Sequence, residues 1–120
     1  MDKLDLLIKK MIAFRDERDW EQFHTPRNLT AALAIEAAEL QELLLWKSDQ
    51  EVGMYLQDPS GKQKLAHEVA DVLTFAFLFC HATGIDPLAA IEQKMEINAK
   101  KYPVELSKGK ATKYTELPRS

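Results

Sequence analysis

Four acids in this sequence stand in two pairs of equal spacing: Glu36 with Glu39 in AIEAAELQE, and Glu68 with Asp71 in HEVADVL. Residues three apart project from one side of a helix, one turn from each other. Advancing about 100° per residue, Leu29, Ala32, Leu33, Leu40 and Leu43 share a face, with Glu36 in its middle and Glu39 at its edge. Leu65, Val72, Phe75, Ala76 and Phe79 share a second face that contains Glu68, with Asp71 at its edge. Glu42 falls further out and is excluded from the candidate site. An unpaired carboxylate in apolar surroundings costs several kcal/mol or takes up a proton, and four together repel. A hard divalent cation, which prefers oxygen ligands, resolves both problems. Mg²⁺ binds through a few carboxylates plus water and substrate phosphates, which makes phosphate chemistry the natural use of such a set. One pair alone would read as a solvated helix face, and salt bridges to Lys or Arg are the competing explanation. Two pairs, both inside apolar stripes, favour the metal.

The elements that must carry these acids are helical. Leu4, Leu7, Ile8, Met11 and Ile12 recur at helical spacing, predicting a helix from about Lys3 to Arg18. An aromatic connection, DWEQFHTPRN, follows, with Asn28 as N-cap of a second helix from Leu29 to Trp46. In that reading Trp46 lies at i+7 from Glu39, on the same edge of the helix. Ser48 and Glu51 have capping-box spacing, predicting a short helix from Asp49 to Leu56. Asp58-Pro59-Ser60-Gly61 reads as a turn. A long helix then covers Lys62 to Ala82 and stops at Gly84. Asp86-Pro87 starts the last long helix, ending near Lys101 before Tyr102-Pro103. The tail from Val104 is polar and aperiodic, with Tyr114 and Leu117 as anchors. The expectation is one all-α domain over residues 1–120, a four-to-five-helix bundle with its helical core over about 3–102 and an irregular tail over 103–120.

Composition narrows the partners. A net charge of −3 leaves no basic footprint for a nucleic-acid backbone. Apolar residues at 46% and charged residues at 29% describe a globular chain. Cys80 is the single cysteine, set in the apolar run VLTFAFLFC, which suits a reducing cytoplasmic setting and a core role. The N-terminus alternates charge and apolar residues, unlike a signal peptide. The apolar run from Val72 to Cys80 is far shorter than a membrane span, so no membrane partner is expected. The helix from Val69 to Cys80 is apolar almost all round, which points to a partner subunit.

With both acid pairs in place the chain resembles the MazG-like all-α nucleoside triphosphate pyrophosphohydrolases. E-x-x-E followed by E-x-x-D is the metal motif of that family. RDWEQFHTPRNL, LLWKSD, KMEINAKKYP and KYTELP are similar to its dCTP pyrophosphatase branch, so the resemblance runs from about Leu4 to Arg119 and is weakest over Gln50 to Lys64. The resemblance implies hydrolysis of a deoxynucleoside triphosphate between the α and β phosphates, to monophosphate and pyrophosphate, in the house-cleaning of nucleotide pools. It implies Mg²⁺ (or Mn²⁺) as cofactor and a homotetramer built from dimers. Residue by residue, it makes Glu36, Glu39, Glu68 and Asp71 the metal ligands and catalytic acids. Trp20 and Trp46 become aromatic walls for a base, with His24 and Asn28 in the same matched loop. Lys94, Asn98, Lys101 and Tyr102 fall in the matched segment near the substrate. Lys94, Asn98 and Lys101 also form a polar stripe at i, i+4, i+7, suited to phosphate or sugar oxygens. Three positions depart from the close vertebrate pattern: Phe75 stands in place of Tyr, Met11 in place of His and Lys101 in place of Arg. The lost hydroxyl and imidazole make the pocket more apolar, so the expected substrates are dCTP-like, with dATP and 5-modified dCTP included. The rival readings are a related pyrophosphohydrolase with a substrate such as phosphoribosyl-ATP, and a non-enzymatic, antitoxin-like interaction protein.

Overall fold

A computed structural model describes residues 2–118, and every described regular element is helical. The order is α1 (Lys3–Glu17), α2 (Pro26–Glu42), α3 (Asp49–Gln57), α4 (Pro59–Thr83), α5 (Pro87–Lys101) and α6 (Val104–Ser107), with 3-10 turns at Glu21–Phe23 and Tyr114–Glu116. Arg119, assigned to the tail by the sequence, lies outside the described residues.

The helices start where short polar side chains satisfy the free N–H groups of a first turn. Asp2 accepts from the Asp5 N–H, and Asp86 accepts from the N–H groups of Leu88 and Ala89. The predicted capping box is present: Ser48 accepts from the Glu51 N–H, and Glu51 accepts from the Ser48 N–H. Gly84, at φ 72°, ends α4 in the left-handed conformation that glycine adopts without steric penalty.

Three expected boundaries are corrected. The N-cap of α2 is Thr25, not Asn28: Pro26 occupies the first helical position and the Asn28 N–H donates to Thr25 Oγ1. The Asp58–Gly61 segment is not a free turn but the cap and first turn of α4, since Pro59 also suits the first helical position. The third correction bears on the site. α2 ends at Glu42, and Leu43 to Trp46 form a turn closed by Leu44 N–H to Gln41 O and Lys47 N–H to Leu44 O. Trp46 has φ 65°, a region that bulky residues rarely occupy, so it has left the helical line of Glu39.

The chain divides into two compact units, Met1–Ile85 and Asp86–Ser120. In the first, α4 is the hub: α2 runs against it most extensively, with α3 and α1 in smaller contact. Leu29, Leu65 and Leu78 are its buried leucines. Gly61 makes the α3–α4 approach possible, because a Cβ there would lie 2.5 Å from the Tyr55 carbonyl oxygen. Many apolar side chains stay exposed, among them Val69 and Leu73 on α4. Taken whole, α4 is long and apolar enough to cross a membrane by length and composition, although its longest unbroken apolar run is short. In the second unit the tail has its own order. Tyr102 and Tyr114 meet edge to face at 6.0 Å, and Leu117 is buried.

Candidate functional site

The packing of α2 along α4 brings the two acid pairs together. Carboxylate oxygens of Glu36, Glu39 and Glu68 lie within 4.8 Å of one another. Glu36 and Glu68 are half-buried and Glu39 is exposed. One oxygen of Glu36 and one of Glu68 (Oε2 in each) are shielded from solvent without a hydrogen-bond partner in the structure. That arrangement is costly as it stands. Burial, followed by hydrogen bonding to Glu39 and by the charges of Glu39, Asp71 and Glu68, pushes the Glu36 carboxyl up to about 7. Glu68 is also raised, by burial first and then by the charges of Glu39 and Asp71. The charges acting most strongly on both are negative. Three carboxylates, two of which each carry an unpartnered oxygen, fit a hard divalent cation. Asp71 stands outside the tight trio but close enough for its charge to act on both glutamates.

Asp71 is also where the acids meet a cavity. A space of about 370 Å³ lies between α1, the Trp20 loop and α4, with Asp71 on its edge. Met11, Phe14, Trp20, Phe75 and Leu78 supply apolar wall, and Lys10, Arg15, His24 and Thr74 add polar groups. Aromatic rings meet in sequence around it: Phe14 and Trp20 edge to face at 5.9 Å, Trp20 and His24 at 6.4 Å, His24 and Phe75 at 6.3 Å. The Trp20 loop is held from α1, where Arg15 O accepts from the Trp20 N–H. Asp19 takes φ 54° in that turn, and Gln22 donates to its carbonyl and carboxylate oxygens. Burial, and then the charge of Arg15, hold His24 below its ordinary value, and its Nδ1 is buried without a partner.

The other candidate residues are distributed differently. Asn28 donates through Nδ2 to Phe23 O, so its amide braces the loop beside the cavity. Trp46 is 91% exposed and is not a wall of the cavity that holds Trp20. Lys94, Asn98 and Lys101 lie on α5, and Tyr102 caps it; all four belong to the second unit. There the Lys101 ammonium rests 4.7 Å from the centre of the Tyr114 ring.

Arg15 was missed by sequence reasoning. It is buried, at 7% exposure, and lines the cavity. The signal was available, because Arg15 follows Ile8, Met11 and Ile12 on the apolar stripe of α1. It breaks that stripe as Glu36 breaks the stripe of α2.

A MazG-like family model matches residues 31–117, which include both acid pairs. The chain belongs to the MazG-like family. Among relatives of this MazG-like chain, the dCTP pyrophosphatase 1 of Rattus norvegicus is 47% identical over 106 residues, covering 88% of the chain and 62% of the relative. The Homo sapiens protein of the same name is 44% identical over 105 residues, with the same coverage. The chain thus spans less than two thirds of the length of these relatives. A crystal structure of a pyrophosphatase from Archaeoglobus fulgidus superposes with a TM-score of 0.80 at 36% identity, covering 86% of this chain and 94% of that one. It shares the fold over nearly its full length.

Proposed function

We propose that this MazG-like chain is a Mg²⁺-dependent pyrophosphohydrolase of deoxynucleoside triphosphates, acting on dCTP-like nucleotides, with dATP and 5-modified dCTP as further substrates. The observation that carries the reading is the junction at Asp71 of an unneutralised carboxylate trio with an aromatic-walled cavity. A triphosphate needs cations and a base needs an apolar slot, and the two lie side by side. The names of the relatives and of the structural neighbour support the reaction class.

Glu36, Glu39 and Glu68 would hold Mg²⁺, with Asp71 completing the set. Bound there, the cation neutralises phosphate charge and lowers the pKa of water. The residues do the rest. Through a bound cation, the trio would hold the triphosphate next to the cavity. A glutamate takes the proton of the attacking water. Water adds across the bond between the α and β phosphates, which breaks to give monophosphate and pyrophosphate. Trp20 and Phe75 hold the base, and stacking on an aromatic ring contributes about 1–3 kcal/mol per base. The carboxylates that α4 presents to α2 suit an aqueous bundle better than a lipid phase, where a central Asp costs roughly 2.5–3.5 kcal/mol.

Exposed Val69, Leu73 and Trp46 support a homo-oligomer; the form proposed is a tetramer of paired dimers, and the setting proposed is the cytoplasm. Light scattering on purified protein reads the stoichiometry. The function is tested by a panel of common and 5-modified deoxynucleoside triphosphates, scored by monophosphate formation with the metal varied. Phosphoribosyl-ATP belongs in the same panel. Release of pyrophosphate from dCTP or a 5-modified dCTP with Mg²⁺, and none with EDTA, is the expected result. No turnover of any nucleotide, with no thermal shift on Mg²⁺ addition, would leave the acids as part of a non-enzymatic interaction protein.

A further inference from the structure

The cavity beside Asp71 contains one buried cation whose charge is already matched. Arg15 Nε donates to Asp16 Oδ1 at 2.9 Å, and Nη2 lies 2.7 Å from that oxygen and 3.7 Å from Glu21 Oε2. Nη1 takes part in none of these contacts. A guanidinium has five N–H donors in a planar fork, so this one has spare donors while it lines an apolar space. The buried, unpartnered Nδ1 of His24 lies on the same cavity. The spare donors of Arg15 and the unpartnered His24 nitrogen, on a mostly apolar wall that also carries Lys10, Asp71 and Thr74, describe a site shaped for a ligand with a few polar atoms.

The neighbours of Arg15 decide what kind of atom it takes. Two carboxylates already neutralise the guanidinium, and they repel a further anion. A phosphate gains little there. A neutral acceptor accepts the spare N–H without meeting that repulsion. Among bases, cytosine, thymine, uracil and guanine carry a ring carbonyl and adenine carries none.

We propose that Arg15 is a specificity-determining residue of this cavity, donating through Nη1 to a carbonyl oxygen of the nucleotide base, so that cytosine is selected over adenine. The proposal rests on the reading of the cavity as a base pocket and gives it a direction. It narrows the expected substrates, since dATP then becomes the poor one. It also separates base reading from the bracing role of the same residue, whose carbonyl holds Trp20 and whose guanidinium holds Glu21.

The test is equilibrium binding of α,β-imido-dCTP and α,β-imido-dATP to the full chain with Mg²⁺, for wild type, Arg15→Lys and Arg15→Met. Circular dichroism checks folding. Lysine keeps the charge beside Asp16 and Glu21 but loses the fork. Wild type should prefer the dCTP analogue, and Arg15→Lys should weaken it by about tenfold, as expected for one hydrogen bond from a charged donor. The dATP analogue should bind as before. Equal losses for both analogues would show a bracing residue only and overturn the proposal, as would no loss for either. A 2-thio dCTP analogue on wild type needs no folded variant: it should bind about tenfold more weakly, and equal binding overturns the proposal. Wild type that binds both bases equally overturns this inference alone. Wild type that binds neither analogue overturns it together with the reading it rests on.

Discussion

Charge breaks into apolar surface at two places in the first unit, and the two are resolved in opposite ways. On α2 and α4, Glu36 and Glu68 enter leucine- and phenylalanine-rich stripes where the charges that shift them are those of other acids, and one oxygen of each is without a partner. On α1, Arg15 enters a stripe of Ile8, Met11 and Ile12 and meets Asp16 and Glu21. The acid cluster finds no counter-charge among its close neighbours and is relieved by taking up a proton or a cation. The arginine takes its own from the next residue and the following loop. An uncompensated set suits a cation and the anionic substrate it brings, whereas a compensated one suits a neutral hydrogen-bonding partner. In the proposed reading Asp71, which lines the cavity with Arg15, lets one ligand use both.

The sharpest way to break this contrast is to remove an acid. In the proposed reading, Glu68→Gln should cut metal-dependent hydrolysis on the order of 10³-fold, through weaker hold on the cation that stabilises transition-state charge. In EDTA the same variant should melt no lower than wild type, because it removes one of several repelling carboxylates. A lowered melting temperature in EDTA would make Glu68 a structural residue and erase the difference from Arg15.

A smaller effect comes from pH. Glu36 titrates at about 7 in the folded chain against an ordinary 4.5, and Glu68 is raised in the same direction. Between those values the folded form of Glu36 holds more protons than the unfolded form. Metal-free stability should therefore fall as pH rises from about 4.5 through about 7. Mg²⁺ binds the ionised acids and should offset that fall, increasingly so at higher pH. His24, held below 6.5, acts in the opposite sense: its contribution is lost as pH falls. The difference between melting curves with Mg²⁺ and with EDTA, taken at each pH, isolates the acids. A difference that does not grow with pH would sink the metal reading of the trio.

The two tryptophans give the finest test. Trp20 sits on the cavity and Trp46 stands 91% exposed. Trp20→Ala should raise KM for dCTP by about tenfold, through lost stacking. Trp46→Gly should leave the fold intact and stabilise the chain by roughly 1 kcal/mol, because glycine tolerates the positive φ of that position. A matching KM effect at Trp46 would mean that its ring reaches the base from another subunit. No effect at Trp46 would confine the base to the cavity of Trp20.

Much of this was legible in the sequence for local reasons. A carboxylate at the centre of a leucine stripe is anomalous whatever surrounds it, so Glu36 and Glu68 stood out before any contact was known. Caps are equally local, which is why sequence pattern alone predicts Ser48 with Glu51, and Asp86 with Pro87, as the structure has them. The end of α2 was not legible, because no glycine marks it. Trp46 takes a conformation that its own residue type disfavours, so wheel geometry carried it wrongly onto the edge of Glu39. Arg15 carried the same anomaly as Glu36, but an arginine can reach out of an apolar stripe along its stem, which made it easy to pass over.

The sequence by itself determined the helices, the acids and their spacing, because periodicity, capping and side-chain chemistry act over a few residues. Only the tertiary structure decided that oxygens from two helices separated along the chain meet within 4.8 Å. It also decided that Asp71 joins them to an aromatic cavity, and that Arg15 is buried with its counter-charges beside it. Those relations depend on how α1 and α2 pack against α4, and packing of distant segments is not written in any local pattern.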